Sequence, residues 1–326
     1  MTRVPGSAVR AWVLRSSAAA RVAASRSDLW LPGALASLAF LGWLPFVLAV
    51  VPLPSQGDLG FFANQLNEPS GFPLLATLLA AALVTATLGL AFVVALAETA
   101  LLRALRGAVD VQPHSEGEPG RRLGRDAIQV WAVELACALP FVAALILLVG
   151  RLASVAPAEY QSPDAGLSFP LRVLIDVWPL AILAVAVALA GQAFGAAATQ
   201  RVLDEPLASA LGGAARDLLR RPLRAVATAV ATFLLYLAFL AASGLLIRAL
   251  WVPIARSLSA AQLGTPATPL LLVGFVAIWL CLLLASGALH AWTSGWWLTE
   301  LSSHEPMRAR RVRESRRNAG DPGNSD

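Results

Sequence analysis

Apolar residues gather in six long, charge-poor stretches along this chain: Leu29–Leu53, Gly71–Ala97, Ala127–Gly150, Val173–Thr199, Ala225–Ile247 and Thr268–His290. A helix needs roughly 20 residues, at about 1.5 Å each, to cross the hydrocarbon of a bilayer. Every stretch passes that length, and only the third and fourth hold an acid, Glu134 and Asp176. The pattern predicts an all-α fold, a polytopic transmembrane bundle of six spans over residues 29–300. A basic segment, residues 1–28, precedes it, and a disordered basic tail, residues 301–326, follows.

Before the fifth span the pattern changes to a helical stripe. At 100° per residue Leu207, Leu211, Ala214 and Leu218 share one face, with Arg216, Arg220 and Arg224 roughly opposite. This predicts an amphipathic helix lying in the membrane interface, with Arg toward the headgroups. Pro222 suits the first turn of the span that follows, where its missing N–H is harmless. Trp292, Trp296 and Trp297 predict an aromatic belt on a second interfacial element. A weaker pattern is internal: Leu44-Pro45-Phe46-Val47 recurs 95 residues later as Leu139-Pro140-Phe141-Val142, and the same step again lands on Leu234. Three helical hairpins of one orientation would produce it.

Composition supports a lipid solvent. Of 326 residues, 57% are hydrophobic and 14% charged, against about 25% charged in soluble domains; mean hydropathy is +0.67. A soluble enzyme, a free nucleic-acid-binding protein and a secreted disulfide scaffold are thereby excluded. All 25 basic residues are Arg, which with abundant Ala, Leu, Val and Gly fits a high-GC bacterial genome. The net charge of +5 belongs with anionic lipid rather than nucleic acid. Twenty-one of the arginines fall before span one, between spans two and three, between spans four and five, and after span six. Only Arg151, Arg172, Arg248 and Arg256 fall on the other side. This alternation predicts cytoplasmic N and C termini in a bacterial inner membrane. The Arg-, Ser- and Ala-rich residues 1–27 also have the composition of an organellar presequence, but not of a secretory signal; the bacterial reading makes them a retained cytoplasmic segment. Cys137 and Cys281 both fall within spans and are expected to be packing residues.

Direction supplies depth. Glu134 and Gln192 fall at nearly one level in the inner half, and Glu98, Gln200 and His290 close spans two, four and six at the inner boundary. Ionisable groups at such depth are expensive and mark functional candidates. The five either line a cytoplasm-facing cavity for a cation, a proton or a lipid headgroup, or form a knot that fixes helix register. Asp176 falls near the outer boundary, four residues from Arg172, as an interfacial pair. The acyl-transfer, phosphoryl-transfer and metal constellations are absent from the sequence: there is no HExxH and no P-loop. Ala241-Ala242-Ser243-Gly244 approaches the rhomboid-protease serine motif but lacks its first Gly, and Ser243 and His290 are expected about 20 Å apart. No catalytic residue, metal or cofactor is therefore expected.

The Arg-Arg-Pro-Leu-Arg lead-in to span five (Arg220–Arg224) and the basic inner connections resemble a broad group of bacterial six-helix membrane proteins. That group includes the membrane domain attached to some glycerophosphodiester phosphodiesterases. The resemblance implies membrane residence and carries over no catalytic residue. The sequence leads first to a non-enzymatic scaffold or accessory subunit. In that reading Arg216, Arg220, Arg221 and Arg224 meet anionic headgroups or a protein partner. The alternative is a permease for a small or lipid-like substrate, built on the polar layer around Glu134.

Overall fold

The computed structural model describes residues 5–50, 73–108, 119–161, 166, 168–259 and 267–302, and helix is the only regular structure among them. In chain order the described α-helices are α1 (Pro5–Ser25), α2 (Trp30–Ala36), α3 (Trp43–Val50), α4 (Pro73–Ala108), α5 (Pro119–Gln161), α6 (Phe169–Val202), α7 (Leu207–Arg220), α8 (Pro222–Ser259) and α9 (Ala267–Ser302). The first outer loop, most of the Gln112–Gly120 stretch and the basic tail beyond Ser302 lie outside the described residues.

Helices α4, α5, α6, α8 and α9 are each long and apolar enough to cross a membrane, and only 11–17% of each apolar window is buried inside the protein. Leu83, Leu139, Ile146, Leu245 and Val273 are all more than 60% exposed. So much outward apolar surface needs hydrocarbon against it. The protein is therefore a multi-pass helical membrane protein.

The helices run past the expected span ends, because a helix keeps satisfying its backbone through polar turns after the apolar stretch stops. Thus α4 continues to Ala108 and α9 to Ser302, which carries Glu98 and His290 about three turns inward from the helix ends. The expected span Leu29–Leu53 differs more. Its described part is broken into a 3₁₀ turn (Ser27–Leu29), α2, a π-helical turn (Leu38–Gly42) and α3; residues 51–53 lie outside the described ones. At the π-turn the Gly42 carbonyl accepts from Trp279 Nε1 at 3.2 Å, so the freed group keeps a partner, as lipid requires. The break coincides with a close crossing of α2 and α9. A β-carbon on Gly33 would run into the Gly287 carbonyl, and one on Gly287 would meet the Trp30 carbonyl and lie 2.6 Å from Ala34 N. Ser37 and Ser286 hydroxyls meet beside it at 3.2 Å. The two Leu-Pro-Phe-Val tetrads accordingly sit in unlike settings: Pro45 is buried just after the π-turn, whereas Pro140 is exposed in the uninterrupted α5.

Helix α9 is central, touching α1, α2, α4, α6 and α8, while α5 packs between α4 and α6. The densest packing lies toward the Arg-rich end. There Val130, Val133, Ala197, Val202, Ala210 and Ala214 form one cluster, and Leu29, Leu101, Leu105, Ala291 and Leu298 another. The expected amphipathic helix is α7: Ala210 and Ala214 are fully buried, with Leu207, Leu211 and Leu218 packed beside them, and Arg216 and Arg220 exposed. Gly191 and Gly195 bring α6 against Cys137 of α5, with 3.2 Å from a Gly191 β-carbon to the Cys137 carbonyl.

Arginines that sequence reading treats as topological markers also tie the helices together. Arg103 reaches Asp126 at 2.5 Å, joining α4 to α5. Arg201 holds Asp217 and Glu205, crossing the face of Gly213 to do so. Arg106 bonds both Asp204 oxygens at 2.9 and 2.7 Å and also donates to the Gln200 carbonyl. Arg106→Ala is expected to cost about 1–3 kcal/mol, because that carbonyl loses its charged donor. A thermal-unfolding midpoint equal to the wild type's would contradict this.

Residues 5–25 form a docked helix. Trp12 stacks obliquely on Trp296 with centroids 4.8 Å apart and donates to Thr228 Oγ1 at 3.0 Å. Arg15 pairs with Glu300 at 2.8 Å, and Trp292 Nε1 donates to the Ser16 carbonyl at 3.0 Å. This corrects the aromatic belt. Trp296 and Trp297 are 3% and 4% exposed, because α9 continues through them, with Trp12 of α1 against Trp296 and Ala193 and Ala229 of α6 and α8 against Trp297. At the opposite end Arg172 engages Glu159, at 2.8 Å to Oε2 and 2.7 Å to the carbonyl oxygen. Its described partner is thus on α5, across the loop from the expected Asp176.

Candidate functional site

Glu98, Glu134, Gln192, Gln200 and His290, read from the sequence as one polar layer, all line a single cavity of about 280 Å³ inside the bundle. They come from α4, α5, α6 and α9, and α8 adds Tyr236. Each is placed by its helix's period: Glu98 shares a face with Val94 and Leu102, and His290 with Thr293, Ser294 and Trp297.

One side of the cavity is a hydrogen-bonded chain. His290 Nε2 lies 2.6 Å from Glu98 Oε2, and Ser294 Oγ donates to Glu98 Oε1 at 3.4 Å. His290 Nδ1 lies 3.1 Å from Tyr236 Oη, which is in turn hydrogen-bonded to Thr293 Oγ1. Thr293 donates its own proton to the His290 carbonyl at 3.0 Å, so it must accept from Tyr236. The Tyr236 oxygen then accepts from His290 Nδ1–H. With Nδ1 assigned to Tyr236, the other ring nitrogen, Nε2, is the one that meets Glu98. Donation in this chain runs one way, from the imidazole through Tyr236 and Thr293 to the His290 carbonyl.

The other side is sparser. Gln192 Nε2 donates to Thr232 Oγ1 at 3.1 Å, and Thr232 donates to the Thr228 carbonyl at 2.8 Å. Gln200, 6% exposed, belongs to the floor, where its carbonyl takes the Arg106 bond. The Glu134 carboxyl has no hydrogen bond or ion pair to another described residue, and it faces the cavity beside Cys137. Among the described residues no group of three His, Cys, Asp or Glu side chains is arranged to hold a metal ion.

A second cavity, about 410 Å³, opens at the Arg-rich end, where α7 stops, α8 begins and α9 ends. Arg220, Arg221 and Arg224 line it with Asp217 and Glu300, whereas Arg216 points elsewhere on α7. Trp297 lines both cavities and is the wall between them.

Sequence reasoning missed Tyr236, Thr293, Ser294 and Thr232, because hydroxyls are tolerated in apolar helices and do not interrupt a hydrophobic run. Spacing offered one signal: Thr293 and Ser294 follow His290 at i+3 and i+4, on its face. Depth was also misjudged. His290 stands opposite Tyr236, seven residues from Ser243, so Ser243 lies only about 10 Å away along the axis. Ser243 nevertheless donates to Phe239 and Leu240 of its own helix, not to a base.

Comparison with protein-family models, curated proteins and solved structures gives no match.

Proposed function

We propose that this protein is a bacterial inner-membrane permease for a small cationic solute, with its Arg-rich end and both termini on the cytoplasmic side. The observation that carries this reading is the convergence of Glu98, Glu134, Gln192, Gln200 and His290 on one intramembrane cavity. Register alone would be fixed by paired groups. Glu134 is a carboxyl facing open space without a partner among the described residues, which is what a site awaiting a positive ligand requires. The wall is otherwise mostly apolar, as in ligand pockets generally. Its volume suits a solute of roughly nine water-sized groups, at about 30 Å³ each. The Glu98–His290–Tyr236 chain supplies a proton donor and acceptor beside the ligand, so uptake would be coupled to proton movement.

The test is electrical. Proteoliposomes holding the full chain receive an imposed pH gradient and a panel of small primary and quaternary amines. The expected result is a saturable current that Glu134→Gln reduces about tenfold or more, the loss of one charged contact, with unchanged expression and thermal midpoint. Silence across the panel, or an unaltered current in the variant, overturns the reading.

The scaffold or accessory-subunit reading draws on a different observation, the exposed Arg216 and Arg220 of α7. It requires a protein partner to be retained on gentle extraction, and a lone monomer counts against it.

A further inference from the structure

The geometry points to an anionic phospholipid site in the cleft between the end of α7, the start of α8 and the end of α9. The headgroup phosphate lies on Arg220 and Arg224, and an acyl chain runs along Leu219, Leu223 and Val226. This site is separate from the intramembrane cavity and does not depend on transport.

Charge is the first argument. The cleft is lined by three guanidinium groups and two carboxylates. Both carboxylates are already engaged by arginines from outside the lining: Asp217 by Arg201 at 2.5 Å and Glu300 by Arg15 at 2.8 Å. The guanidinium groups of Arg220 and Arg224 make no hydrogen bond or ion pair to another described residue. The lining therefore carries surplus positive charge in a concave site. Planar, fork-shaped donors of this kind match phosphate oxygens.

An unmatched donor is the second. The Trp297 indole N–H is buried without an acceptor, and Trp297, 4% exposed, forms the back wall of the cleft. Trp131 and Trp296 hold orphaned indole donors too, but of the three only Trp297 lines this cleft, where a phosphate or glycerol oxygen would give it an acceptor.

The third argument separates a lipid from a soluble phosphate. Leu219 and Leu223 flank the Arg group and are 80% and 86% exposed, with Val226 at 58% below them on α8. A soluble phosphate has no use for apolar side chains at the rim. A phospholipid has, because its chains must leave the headgroup along an apolar face.

Native mass spectrometry of the full-length protein in detergent tests this, with phosphatidylglycerol, phosphatidylcholine and glycerol 1-phosphate as probes. Phosphatidylglycerol is expected to be retained about thirtyfold better than phosphatidylcholine, the worth of two arginines near anionic lipid. Arg220→Ala with Arg224→Ala should remove that preference, and Leu219→Ser with Leu223→Ser should weaken retention of both lipids. Should the double Arg variant fail to fold, Arg220→Gln at the exposed position carries the same expectation at smaller size. Equal retention of the two lipids, or a preference that survives the Arg variants, overturns the proposal. So does glycerol 1-phosphate competing as well as the intact lipid, since the cleft would then take a soluble phosphate.

Discussion

Gly287→Val is expected to abolish the folded bundle. The glycine sits where α9 crosses α2 with backbone against backbone, and even a single β-carbon there would strike the Trp30 carbonyl and the Ala34 amide. Backbone cannot swing aside as a flexible side chain can, so the helices must separate, losing the Ser37–Ser286 contact as well. Overpacking at ordinary core sites costs about 1–3 kcal/mol; a backbone obstruction on a central helix should exceed that range. Size-exclusion chromatography should show aggregated or absent protein. Gly89→Val and Gly244→Val are matched controls, because nothing lies within 4 Å of a β-carbon at either place. A monodisperse Gly287→Val protein with the control's melting temperature would show that α2 and α9 do not meet as described.

The next largest effect is expected at the Glu98–His290 pair. Their side chains are 13% and 20% exposed, so His290→Ala takes the closest partner from a largely buried carboxyl group and should cost about 1–3 kcal/mol. Glu98→Gln keeps a hydrogen-bonding partner for the ring and should cost less. Tyr236→Phe removes only the acceptor for His290 Nδ1–H and the donor to Thr293, an effect of about 1 kcal/mol. The order of denaturant midpoints is the measurement. If His290→Ala and Tyr236→Phe prove equally mild, the imidazole is not bonded to Glu98.

Much of this was legible in the sequence, for reasons that also explain what was not. Long apolar runs identify lipid-facing helices because the bilayer imposes one length on all of them. The common level of Glu134 and Gln192 followed from counting residues along helices expected to alternate in direction, and five polar residues do line one cavity. Helix ends were misjudged because hydropathy marks where apolar residues stop, while backbone hydrogen bonding carries α4 and α9 further. The broken segment from Ser27 to Val50 was invisible because the contacts beside it, the Gly33–Gly287 approach and the Trp279–Gly42 bond, are made by residues far apart in the chain. The same holds for α1. Composition marked residues 1–28 only as a basic segment retained ahead of the first span, and it is the partners Thr228, Trp296 and Glu300 that make α1 a packed helix.

The docking of α1 on α9 has a consequence for biogenesis. Roughly 280 residues separate the two in synthesis, and translation at about 5–20 residues per second puts some tens of seconds between their appearances. Through that interval Trp12 and Arg15 have no Trp296 or Glu300 to meet, and Val9, Val13 and Leu14, exposed even after docking, give the nascent helix an oily side to rest on the bilayer. Closure therefore comes late, and a ribosome stalled within α9 would leave every earlier helix inserted around an unlatched bundle.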